Sequence, residues 1–151
     1  MALYPKRLKS AYISVLVGNG AQPEVFTKIC GATQRGFTIQ KNTTDEFIQP
    51  CDNPEAVPSR VLQVTGIQWD MTLNIVYNRT QAPLIRELME IDDPRNFRLE
   101  FLEPENDAID SGYFAGAGQA TNLQITADDG SFVSGTMAIT SDGDWVWTDA
   151  A

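Results

Sequence analysis

Apolar and polar residues alternate with a period of two along most of this chain, the signature of strands with one buried and one wet face. The clearest run is "VLQVTGIQWDMTLNIVYN", in which Ile67, Trp69, Met71, Leu73, Ile75 and Tyr77 share one face. Gln68, Asp70, Thr72 and Asn74 share the other. Similar patterns predict strands over residues 24–29, 33–41 and 97–102. Residues 112–126 and 131–140 read as a hairpin joined by the turn "ADDG", and "DWVWT" as a last short strand that aligns Trp145 with Trp147. "AYISVLVG" follows the basic Lys6, Arg7 and Lys9, but its alternation reads as a strand and not as a signal peptide.

One segment, 80–91, has helical spacing. Leu84, Ile85, Leu88 and Ile91 form an apolar stripe, Thr80 is placed to cap it, and "DDPRN" stops it. One helix among about seven strands predicts a single all-β domain over 1–151, an antiparallel β-sandwich or barrel with a flanking α-helix. Residues 42–60 fit neither period and are punctuated by Pro50, Pro54 and Pro58. They are expected to form a long inter-strand loop, and 1–10 an N-terminal arm.

Composition then narrows the chemistry. The 151 residues contain no histidine, which removes Ser-His and Cys-His catalysis and imidazole metal sites. The net charge is −9, from 20 acidic against 11 basic residues, so binding nucleic acid by phosphate neutralisation is not expected. Cys30 and Cys51 match no zinc or redox spacing and read as two free thiols, or as a disulfide in an oxidising compartment. Asp142 and Asp144 lack the remaining features of a calcium loop and read as a turn. "GYFAGAG" has no helix after it to hold a phosphate, so its glycines read as sites of bending or close backbone approach. No catalytic, cofactor or metal constellation emerges. A β-rich protein that works by association is one reading; a monomeric sandwich binding carbohydrate or peptide on Trp145 and Trp147 is the other.

Three stretches in order, "FTKICGATQRGFTIQKNTTDEFIQPCDNPEAVP", "VTGIQWDMTLNIVYN" and "GYFAGAGQATNLQITADDGSFVSGTMAITSDGDW", together resemble the major tail tube proteins of long, non-contractile bacteriophage tails. The likeness runs from about Tyr12 to Trp147. It implies a structural virion protein of the phage tail, assembled in the host bacterial cytoplasm, with no enzymatic activity, cofactor or membrane partner. Subunits would join into hexameric rings through a shared β-barrel, and the rings would stack into a tube. Other tail proteins would close the tube ends, and tape measure protein and genomic DNA would occupy the lumen without specific binding. On this resemblance Gln68, Asp70, Thr72 and Asn74 are expected to face the lumen. Lys6, Arg7, Lys9, Asp45, Glu46, Phe47, Cys51, Asp52 and Glu55 are expected to contact the next ring, the basic residues through acids such as Glu103, Glu105 and Asp107.

Overall fold

The structure is a computed structural model that describes residues 12–101 and 112–149. Seven strands form one antiparallel sheet in the order β2-β1-β5-β6-β7-β4-β3. They are β1 (Ile13–Gly18), β2 (Phe26–Lys28), β3 (Ala32–Ile48), β4 (Ser59–Val76), β5 (Arg95–Phe101), β6 (Gly112–Thr126) and β7 (Ser134–Asp149); α1 (Ala82–Glu90) lies between β4 and β5.

The alternation of β4 holds over its second half. Trp69, Met71, Leu73 and Ile75 are buried. They share one core with Val15 and Val17 of β1, Phe97 and Leu99 of β5, Met137 and Ile139 of β7, and Ile85 and Leu88 of α1. Strands from opposite ends of the order can share a core only if the sheet folds over on itself, so one sheet makes both layers of a sandwich. The corner lies in β6. Its first half, to Gly118, pairs with β5, and register shifts on its β7 side fall between Gly116 and Gly118 and between Ala120 and Asn122. Glycine is required here because the Trp69 indole lies across the strand: a Cβ at Gly116 would sit 2.7 Å from its Nε1.

Three expectations are corrected. Residues 42–60 are not an irregular loop: β3 runs to Ile48 and β4 starts at Ser59, paired through to Ile48↔Ser59. Both faces of this segment are in water, so no apolar period marks it as strand, and backbone pairing alone defines it. "DWVWT" is not a separate strand but the end of β7, continued past an irregularity at Gly143, where φ is +120°. Thr80 does not cap the helix. Asn78, two residues before it, holds the approach to the helix instead, its Oδ1 accepting the N–H of the N-cap residue Gln81 at 2.9 Å.

Buried Gln81 locks the helix start to the β2–β3 connection. Its Oε1 accepts the Cys30 N–H at 2.8 Å, and its Nε2 donates to the Lys28 carbonyl at 2.7 Å.

Candidate assembly surfaces

The first surface is the face of β6, β7, β4 and β3 turned away from the core. Register places Gln34, Gly36, Thr38 and Gln40 of β3 beside Asn74, Thr72, Asp70 and Gln68 of β4. Thr136, Ala138 and Thr140 of β7 continue the rows, and Asn122 and Gln124 of β6 extend them. The side chains bond chiefly to one another. Asn74 Nδ2 donates to Gln34 Oε1 at 2.6 Å, and Thr136 Oγ1 donates to Asn74 Oδ1 at 3.1 Å. Gln68 Nε2 reaches both Gln40 Oε1 and Asp70 Oδ2, and the hydroxyls of Thr121 and Thr140 meet at 3.0 Å. Gln68, Asp70, Thr72 and Asn74, singled out in the sequence, thus stand on one face as expected. Among these residues only Asp70 carries charge, so the surface is amide and hydroxyl in character and the acidic excess lies elsewhere.

The second surface is an arm. Beyond Lys41 and Ile67, the paired strands of β3 and β4 leave the core and every residue on them except Gly66 is exposed. At about 3.3 Å per residue, the seven residues from Asn42 to Ile48 project roughly 23 Å. Phe47, Leu62, Val64 and Ile67 extend the core-facing side of the sheet along the arm, with Phe47 70% exposed and Leu62 55%. Asp45 pairs with Arg60 at 2.9 Å on the same side, an exposed ion pair worth little by itself. Glu46 lies on the arm's other face, and Cys51, Asp52 and Glu55 lie in the loop at its tip. Lys6, Arg7 and Lys9, and the acids 103, 105 and 107, lie outside the described residues.

Two open edges flank the first surface: among the described residues, the side of β3 away from β4 has no strand partner, and β6 beyond Gly118 has none on its β5 side. Such edges present a row of backbone donors and acceptors ready to pair with another chain.

The other candidate sites do not assemble. Trp145 and Trp147 offer no free platform: Phe114 packs edge-on to both, at 5.3 and 4.7 Å, and Trp147 Nε1 donates to Asp149 at 2.7 Å. Asp144 Oδ1 accepts the Trp145 N–H in the β7 irregularity. Among the described residues no group of three or more Cys, Asp or Glu side chains converges as a metal site. Cys30 and Cys51 are both free and exposed at opposite ends of β3, so no disulfide joins them within the chain.

No protein-family model matches the chain, and no curated protein matches it. Solved structures do. A chain in the tail of an empty gene transfer agent particle, determined with C6 symmetry, superimposes with a TM-score of 0.74 at 14% identity, over 94% of this chain and 99% of that one. The chain has the fold found in tail tubes. A chain of the SPP1 tail tube superimposes at TM-score 0.70 and 9% identity, over 95% of this chain and 80% of that one. One from the sheath–tube complex of an extracellular contractile injection system (PVC) does so at 0.64 and 13%, over 95% and 93%. Two features of this tail-tube fold were missed by the sequence: the arm's apolar stripe and a basic groove formed by Lys28 and Arg35. The signal for the first was present in Leu62 and Val64, which precede the clean alternation. Nothing in the sequence places Lys28 beside Arg35, since the β2–β3 turn at Gly31 (φ +80°) brings them together.

Proposed function

We propose that this protein is a structural tail-tube subunit of a phage or phage-like particle, and no enzyme. Six copies form a ring, rings stack, and the polar face of β6-β7-β4-β3 lines a lumen through which genomic DNA passes. The observation that carries this reading is that face: four long neighbouring strands with a core on one side and a continuous polar sheet, charged at Asp70 alone among the residues named above, on the other. The open edges that flank this sheet present backbone groups with which neighbouring copies can pair. Pairing β3 of one copy with the distal part of β6 of the next would close the wall, four strands from each subunit, in the sixfold arrangement named for the gene transfer agent tail.

A lumen of amides and hydroxyls already bonded to one another has few donors left for phosphate oxygens. The Asp70 carboxylate, repeated in every subunit, adds a ring of negative charge that repels the DNA backbone at close range. The arm bridges to the adjoining ring, and other tail proteins terminate the tube. Tape measure protein and DNA occupy the lumen without specific contacts, and the assembled protein resides in the virion tail.

Negative-stain electron microscopy of the concentrated protein tests the reading. Rings or stacked rings with a central hole are expected. A chain that stays monomeric and binds sugars or peptides on Trp145 and Trp147 would replace it with the ligand-binding reading.

A further inference from the structure

The layer built from β2, β1, β5 and the first half of β6 has an outward face of its own, on the other side of the sandwich from the polar face. Because Val15, Val17, Phe97 and Leu99 point into the core, Leu16 and Arg98 point away from it and stand side by side in register. Lys28 of β2 continues the row beyond Leu16, and Ala115 of β6 and Val146 of β7 continue it beyond Arg98. Arg98 is held from both directions. Its guanidinium carbon lies 3.7 Å from the centroid of the Phe26 ring of β2 and 4.5 Å from that of Tyr113 of β6.

This cation is clamped but not neutralised. Among the described residues Arg98 makes no ion pair and no hydrogen bond, and its Nε is buried without an acceptor. The two carboxylates on the same face do not answer it. Glu24 packs on Gly18 and accepts Asn96 Nδ2 at 2.8 Å, and Glu100, two residues along β5, makes no ion pair. In a chain of 20 acidic and 11 basic residues, a bare guanidinium is not for want of acids. Packing alone does not need it either, since a hydrocarbon side chain would fill the space between two rings and leave no N–H unbonded. Stacking fixes the planar fork before any ligand arrives, so little side-chain freedom is left to lose when it bonds. The neighbours define what fits. Leu16 and Ala115 flank the guanidinium and Val146, 62% exposed, ends the row. A free phosphate would use the fork alone, whereas a carboxylate beside apolar side chains uses the fork and the apolar steps together.

We propose that Arg98, held between Phe26 and Tyr113, is a docking site for an acidic peptide segment with apolar flanking residues, supplied by a partner protein. On the polar face the side chains bond to one another and leave few donors; here the donors are held ready and free. In the tube reading above, this layer is the outside of the wall, so the partner lies along the tube and not in its lumen. The site itself does not depend on that reading, because every residue in it belongs to one folded chain.

Heteronuclear NMR spectra of the dilute, isotope-labelled subunit decide it. Arginine Nε–H signals fall in a region of their own, and Arg98→Lys identifies the one from Arg98. The probe is a blocked peptide of alternating alanine, glutamate and valine; the control has glutamine in place of glutamate. Saturable movement of the Arg98 Nε–H signal and of the main-chain signals of Ala115 and Val146 is expected with the probe, and none with the control. Arg98→Lys keeps the charge but not the fork and is expected to weaken binding about tenfold, read from Ala115 and Val146. Phe26→Leu keeps the charge and frees the guanidinium, and is expected to weaken binding about threefold. Sodium acetate or sodium phosphate that reproduces the effect at equal anion concentration would reduce the site to general anion attraction and overturn the peptide assignment. A response unchanged by Arg98→Lys, or no response of the wild-type subunit to the probe, would overturn it as well, and the wild-type titration requires no variant to fold. None of these failures bears on the tube reading, which fails separately if the wild-type chain forms no rings.

Discussion

Gly116→Ala tests the corner on which the folded sheet depends. The new methyl would lie 2.7 Å from Trp69 Nε1 and 2.9 Å from Cε2 and Cζ2, where carbon contacts prefer about 3.5–4.0 Å. Roughly 0.8 Å must therefore be found. The indole cannot easily supply it: Trp69 is 2% exposed, its ring lies tilted against Phe37 at 5.8 Å, and its main-chain N–H is tied to Ser141 Oγ. Overpacking of this kind costs about 1–3 kcal/mol. Alanine in a strand recovers about 0.5–1 kcal/mol relative to glycine, leaving a net loss of about 1–2 kcal/mol. For a chain of this size that lowers the melting temperature by about 3–6 °C. Circular dichroism melts of the subunit would measure it, with Gly36→Ala as the control, because its nearest neighbour, Thr72 O, is at an ordinary 3.7 Å. Trp69→Phe combined with Gly116→Ala should be less destabilised than the sum of the two single changes, because the smaller ring vacates the contested space. A Gly116→Ala melt within 1 °C of wild type, or strict additivity with Trp69→Phe, would refute the packing argument.

Three further outcomes are expected. Gln81→Ala strands the Cys30 N–H and the Lys28 carbonyl at a part-buried position and should cost about 1–3 kcal/mol in chemical denaturation; a loss below 0.5 kcal/mol would mean water replaces the amide without penalty. Asp70→Lys should leave the melting temperature of the subunit and the appearance of tubes unchanged but slow DNA release from particles, and normal release would remove Asp70 from the lumen. The arm's isolated two-stranded ladder is marginal in water, so trypsin should cut after Arg60 in the free subunit and spare it in tubes; equal protection in both states would show that docking does not order the arm.

The second half of β4 was legible because burial imposes a period: Trp69, Met71, Leu73 and Ile75 are apolar since each must face the core. The same alternation placed Gln68, Asp70, Thr72 and Asn74 together on the polar face. The arm was illegible for the converse reason. "NTTDEFI" meets water on both sides, so selection for a core leaves no mark, and only the register with residues 59–66 makes it strand. The fused end of β7 was hidden because Asp142, Gly143 and Asp144 are turn-forming residues locally, yet here they occur within a continuous strand that shifts register. The basic groove depends on Lys28 and Arg35 meeting across a turn, a relation that no local pattern encodes.

The strand β6 has a mechanical consequence. Its first half is laddered to β5 inside the subunit, while its second half offers an open edge along the wall sheet. One covalent backbone therefore runs from the interior of the subunit into the surface through which neighbours would hold it. A pull along a tube built this way would load the hydrogen bonds of each ladder in shear, many at once, instead of opening them one by one as a peel does. Rupture would then require whole ladders to slide together, and the weakest link would shift to the contacts between rings.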